Sequence, residues 1–155
     1  YEGTTQIQAI DLLGRKTMPQ QGAGLRHFLA EIATFAAAQS GNALVAEFSV
    51  PLAVHATQWQ ALTREIVQRA GSNAEELGAA AVDYLFYSGY LTLAYFWARE
   101  IAALGPTHGA ALKESKLATA RFYYARILPR AETHAAAIRS GSDNLMALAE
   151  PMFSA

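Results

Sequence analysis

Apolar residues recur along this chain at three- and four-residue spacing, and glycine closes most of the periodic runs. A first short helix is predicted over about residues 5–13, with Thr5 and Gln8 in capping-box spacing and Gly14 as its stop. Residues 15–22 are polar and read as a linker. The second helix covers about residues 23–39, with Leu25, Phe28, Leu29, Ile32 and Ala36 on one face. Residues 42–48 are ambiguous and read as a short helical turn. Ser49 and Pro51 signal the start of a third helix, which turns Leu52, Ala56, Trp59, Leu62 or Thr63, Ile66 and Ala70 inward up to Gly71. Gln60, Arg64, Gln68 and Arg69 fall on its wet side. Asn73 and Glu76 open a fourth helix that Gly105 and Pro106 close; it is apolar nearly all round and is predicted to be the most buried.

Thr107 opens a fifth, long helix. Its seam is Leu117, Ala120, Tyr124, Ile127, Ala131, His134 and Ile138, and Pro129 should kink it. Gly141 ends the helix, with one more turn over 143–149. No alternating strand pattern or internal repeat is present. The fold class is therefore all-α: an up-and-down bundle of about four long antiparallel helices preceded by a short helix.

Composition sharpens this picture. About a fifth of the 155 residues are alanine, and charged residues make up only 16%, which favours closely packed helices. The net charge is −1 with cations scattered, so no basic stripe marks a nucleic-acid binder. Without cysteine, disulfides and thiolate chemistry are excluded, and a reducing, cytoplasmic setting is expected. Residues 77–98 have the length of a membrane span, but Asp83 at mid-segment and the many small and hydroxyl residues favour a buried central helix. The opening residues lack a signal-peptide pattern. A start at Tyr1 rather than methionine leads us to expect a fragment or a processed product.

Most chemistry that a bundle could carry is unsupported by spacing. No Glu-x-x-His pair of the di-iron type occurs, and His27 with Glu31 reads as a surface contact. His55, His108 and His134 read as caps or packing. Gly22-Ala23-Gly24 lacks the third glycine of a dinucleotide loop. Asp83, on the most apolar helix, needs a lysine, arginine or tyrosine partner, or else faces a polar site. Tyr84, Tyr87, Tyr95, Tyr123 and Tyr124 are spaced as core aromatics. No metal site is expected.

The sharp signal is the opening, Tyr1-Glu2-Gly3-Thr4-Thr5-Gln6-Ile7-Gln8, followed by Leu13-Gly14-Arg15-Lys16. It resembles the Tyr-Glu-Gly-Thr-x-x-Ile-Gln segment of flavin-dependent acyl-CoA dehydrogenases. The resemblance implies that Glu2 is the catalytic base that removes the α-proton of an acyl thioester, while the β-hydrogen leaves as hydride to FAD. It places Gly3 beside the substrate and Thr4, Thr5 and Gln6 against the cofactor. A carbon acid needs a carboxylate whose basicity is raised by exclusion of water, and glycine beside it permits close approach. Residues 1–21 thus resemble the end of the catalytic domain, including the linker. Residues 22–155 resemble the helical bundle appended in a larger bacterial subgroup, and Lys116 to Tyr123 looks like its best-preserved stretch.

The same resemblance implies acyl-CoA as substrate and electron-transfer flavoprotein as acceptor for the whole protein, and a homodimer or higher homo-oligomer. The domains that hold flavin and thioester in that family have no counterpart here, so these residues alone are expected to be inactive and colourless. The bundle is expected to be structural, packing on the catalytic domains or making a dimer contact. The alternative is a free-standing bundle that binds a hydrophobic ligand or a partner helix, and a third reading is an oxidase that uses the same glutamate.

Overall fold

A computed structural model of the chain describes residues 3–154, and no β-strand occurs among them. The helices are α1 (Thr4–Ile10), α2 (Pro19–Ala38), α3 (Ala43–Ala70), α4 (Glu75–Ala103), α5 (Ala110–Phe122) and α6 (Arg130–Ser140), with single turns α7 (Asp143–Met146) and a 3-10 turn (Glu150–Ser154) after them. Widened π-helical segments, Asp11–Thr17 and Tyr123–Ile127, lead out of α1 and α5. α4 is the central element, with α1, α3, α5 and α6 packed on it and α2 packed on α3. This is the all-α bundle expected, with α5 and α6 together forming its fourth long member.

Both π-helical segments have the same cause. Met18 N–H donates to Leu13 O (3.0 Å) and Leu128 N–H to Tyr123 O (2.9 Å), each reaching five residues back. The residue that follows in each case is a proline, Pro19 or Pro129. In a regular helix the proline ring would clash with the carbonyl four residues earlier, and widening the preceding turn relieves that crowding. The kink expected at Pro129 is accordingly a division into two helices.

Several predicted boundaries shift. Gly14 does not stop the first helix, because Leu13 and Thr17 on either side of it are buried and hold the segment helical at a cost of only about 1 kcal/mol for one glycine. The predicted linker is mostly helical, broken by a bend at Met18 and by positive φ at Gln20 (52°) and Gly22 (78°). The Thr5–Gln8 capping box does not form; Gly3 is the N-cap and no side chain caps α1. α3 begins at Ala43, with the Asn42 side chain accepting from Val45 N–H at 3.4 Å. Pro51 lies inside that helix, where burial of Val45 and Phe48 outweighs the missing donor. Asn73 accepts from Glu75 N–H at 3.1 Å just before α4, but the N-cap of that helix is Ala74 with no side-chain cap, and Glu76 turns away to Ser142, so the expected capping box does not form.

The core lies between α3 and α4. Leu52, Leu62, Ile66, Tyr84, Tyr87 and Leu91 are inaccessible to solvent. Trp59 sets its ring edge-on to Tyr84 and Tyr87, and Phe28 of α2 meets both Trp59 and Tyr95. Each such apolar side chain contributes about 1.5–3 kcal/mol on burial. α4 supplies much of the core, yet it is not buried all round: Phe86, Leu93 and Phe96 face solvent. Its uniform apolarity on sequence therefore overstates its burial.

Candidate functional site

Glu2, the residue on which the opening motif centres, lies outside the described residues. The three that follow the glycine lie together on the first turn of α1, where Thr4, Thr5 and Gln6 are exposed. Gly3 takes φ 109°, a conformation that side chains rarely adopt, while a Cβ there would meet nothing within 4 Å. The glycine is thus demanded by backbone conformation rather than by space. Ala9 and Leu13 are buried, and α1 packs on α4. This anchoring turns the first residues of α1 outward.

Beside that turn, Ile7, Gln8, Ile10, Asp11 and Arg15 line an open groove of about 510 Å³. Ile7 and Ile10 are largely exposed, and Asp11 pairs with Arg15 at 2.9 Å. The arrangement sets a polar turn, whose N-cap glycine supplies no side-chain cap, next to an apolar ridge. It could form one wall of a binding site, and it encloses nothing by itself.

The histidines and Asp83 are tied into local contacts. His134 Nδ1 lies 2.7 Å from Asp83 Oδ1, so Asp83 finds a histidine rather than a lysine, arginine or tyrosine. The His134 ring also stacks on Phe86 and Tyr90. His55 lies 3.4 Å from Glu132, which also accepts from Gln58 Nε2 at 2.9 Å. Tyr87 donates its hydroxyl to His55 O and Gln58 Oε1. His27 and Glu31 approach at 3.5 Å on the surface, and His108 takes up the Gly105 N–H. Among the described residues, no three histidine or carboxylate side chains converge as a metal site would require.

The tyrosines behave as core groups with satisfied hydroxyls. Tyr84 and Thr63 share a 2.8 Å bond, while Tyr123 and Tyr124 donate to Tyr90 O and Ala94 O. Burial pushes the hydroxyl pKa up for Tyr84, Tyr87 and Tyr124, and to about 12 for Tyr123. Sequence reasoning missed the most connected polar group, Glu76. It accepts from Ser142 N–H (3.0 Å) and Oγ–H (2.8 Å) and pairs with Arg69 Nε at 2.9 Å. Arg69, expected on the wet side, also donates to Ile138 O and Arg139 O at the end of α6. Apart from the Arg69–Glu76 pair, seven positions apart, these contacts span 66 to 70 positions of sequence, and no local pattern announces them.

An all-α bundle opened by a short helix with a solvent-facing first turn is the class that this architecture defines. The family described as acetyl-CoA dehydrogenase C-terminal like matches residues 28–149, and the chain belongs to that family, as a C-terminal acyl-CoA dehydrogenase domain. It is 31% identical over 141 residues to butyryl-CoA dehydrogenase of Syntrophomonas wolfei, covering 83% of this chain and 22% of the relative. It is 29% identical over 153 residues to 3-methylmercaptopropionyl-CoA dehydrogenase of Ruegeria pomeroyi, covering 94% of this chain and 26% of that protein. A broad-specificity linear acyl-CoA dehydrogenase of Mycobacterium tuberculosis is 28% identical over 166 residues, 99% of this chain and 27% of the relative. The chain thus spans about a quarter of the length of these relatives. No solved structure matches it. No helix among the described residues is long and apolar enough to cross a membrane.

Proposed function

We propose that this chain serves as the C-terminal part of an enzyme that dehydrogenates an acyl-CoA thioester between its α and β carbons. The observation that carries the reading is the opening motif, Tyr1 to Gln8, in a chain whose similar relatives are named acyl-CoA dehydrogenases. Residues 1–21 then close the catalytic unit, and residues 22–155 form an appended bundle.

In this reading the Glu2 carboxylate takes the α-proton of the thioester. Gly3 lets substrate approach the backbone, and Thr4, Thr5 and Gln6 border the FAD. The cofactor, when bound, accepts the β-hydrogen as hydride, and electron-transfer flavoprotein removes the electrons. The outward, exposed turn of Thr4, Thr5 and Gln6 fits one side of such a site. Its open surface requires the rest of the enclosure to come from elsewhere in a longer protein. There Glu2 would be shut away from water, which raises the basicity of a carboxylate. The bundle has a supporting role, packing on the catalytic part or on another copy, and the whole enzyme works in the cytoplasm. The outward placement of Phe86, Leu93 and Phe96 tells against the alternative of an internal hydrophobic-ligand cavity built on α4.

The test is to purify the longer protein that carries this chain and record its visible spectrum. A yellow protein that bleaches on adding acyl-CoA is expected. Glu2→Gln should keep the flavin spectrum and lose turnover by about 10²–10⁴-fold, the usual contribution of a positioned base. A colourless protein, or full activity without Glu2, would overturn the reading.

A further inference from the structure

α1 and the widened segment after it form one unbroken helical run, Thr4 to Thr17, roughly 20 Å long. Ala9, Leu13 and Thr17 recur along it every four residues and are all buried. α4 packs against both halves of the run. Ala9 and Leu13 bring only apolar atoms to that contact, whereas Thr17 brings a hydroxyl into the core.

That hydroxyl arrives at a polar cluster between α3 and α4. Tyr84 is inaccessible to solvent and shares a 2.8 Å bond with Thr63. Thr63 directs its one proton to Trp59 O at 2.8 Å, so Tyr84 is the donor between them and its oxygen is left to accept. Burial raises the pKa of that phenol, and the side chains of Thr63, Trp59 and Thr17 act against the rise, which sets Thr17 at the same oxygen. On its other side the chain folds back over Thr17. A Cβ at Gly22, where φ is 78°, would lie 3.5 Å from Thr17 O. Thr17 is thereby held between α4 and the start of α2.

We propose that Tyr84 is a positioning residue for the opening motif: it seats Thr17, and so fixes how the run presents its other end, Gly3 to Gln6. The inference rests on the dehydrogenase reading and deepens it. A helix carries a shift at one end to the other, and a misplacement of about 1 Å at reacting groups can cost roughly 10²-fold in rate. A displaced motif also admits water beside Glu2, and a carboxylate loses its raised basicity when water returns. Tyr87, three residues further along α4, is the internal control. It is equally buried, but its hydroxyl donates to His55 O and Gln58 Oε1, both on α3.

The test compares Tyr84→Phe, Thr17→Val, Thr17→Ser and Tyr87→Phe, with circular dichroism confirming that each is helical. In this chain, amide hydrogen exchange over residues 7–17 should quicken about 2–10-fold in Tyr84→Phe and Thr17→Val, the worth of one buried hydrogen bond. It should stay near the parent in Tyr87→Phe and in Thr17→Ser, which keeps the hydroxyl. In the longer protein, Tyr84→Phe and Thr17→Val should keep the flavin, lower kcat by about 10-fold or more, and move the acid limb of the kcat profile to lower pH. The double variant should be no worse than either single one, since both break the same contact. Tyr87→Phe should lower the melting temperature without moving that limb. If Tyr84→Phe fails to fold, the smaller change Thr17→Val carries the test. Equal exchange and equal pH profiles in Tyr84→Phe and Tyr87→Phe overturn the proposal, and so does faster exchange with kcat and pH profile unchanged. A colourless longer protein sinks the dehydrogenase reading itself, whereas a yellow, bleachable one in which the two tyrosine variants behave alike sinks only the role of Tyr84.

Discussion

Glu76 ties the start of α4 to Ser142 and to Arg69 at the end of α3. Two donors from Ser142 and the Arg69 guanidinium hold its carboxyl below the ordinary 4.5, the Ser142 bonds being the larger cause and burial opposing them. A carboxyl with a depressed folded pKa adds stability that is present above its unfolded pKa and lost as pH falls through the folded value. Unfolding by urea should therefore become easier below about pH 4.5, and Glu76→Gln should remove that part of the acid dependence. At neutral pH the same substitution is expected to cost about 1.5–3 kcal/mol, the worth of a hydrogen bond to a charged group. Gly141→Ala should also destabilise. Its backbone holds φ 72°, and a Cβ there would sit 3.2 Å from Glu76 Oε1. Denaturation midpoints of both variants at pH 7 and pH 3 check the pair. If Glu76→Gln shows the same acid slope as the parent, the Ser142 contact is not what titrates.

At the level of elements, the α3–α4 contact should set the alkaline limit of the fold. Tyr84 and Tyr87 are sealed between these helices, and Tyr123 and Tyr124 cover the outer edge of α4. A phenol whose folded pKa is raised favours the folded state fully below its unfolded pKa of about 10 and loses that contribution as pH rises toward the folded value. Ultraviolet titration should show these tyrosines ionising late, in a step that coincides with loss of helical circular dichroism above about pH 10. Smooth ionisation of every tyrosine near pH 10 with the helices intact would contradict the sealed arrangement. In the core itself, Leu62→Ala should cost about 2–5 kcal/mol. The inward face of α3 was legible in the sequence, because Leu52, Ala56, Trp59, Leu62 and Ile66 repeat at helical spacing and the apolar face decides burial. The starts were less so. Pro51 is an apt first-turn residue and also a tolerated interior one, and only the packing of Val45 and Phe48 selects between them. The π-helical segments before Pro19 and Pro129 follow from proline sterics, which signal a disturbance but not its form.

For the whole molecule, the resemblance read from the sequence rested on a motif at one end, whereas the family match covers residues 28–149, the bundle itself, whose periodicity many helical proteins share. The geometry of the motif was only partly legible. Spacing marks Thr4, Thr5 and Gln6 as neighbours on a helix start, but whether that start is enclosed depends on parts of the molecule distant in sequence. The described turn is open, which leads to the last prediction. A carboxylate in water keeps a pKa near 4.3, and a site that abstracts a proton from carbon needs it desolvated against flavin and thioester. These 155 residues alone should therefore neither retain FAD through gel filtration nor oxidise an acyl-CoA with a dye acceptor, even when fully helical. Tryptophan fluorescence from Trp59 and Trp97 should be unchanged by added FAD. Stoichiometric flavin retained by the isolated chain would mean that the bundle holds the cofactor by itself, and the assignment of residues 1–21 as one wall of a larger site would fall.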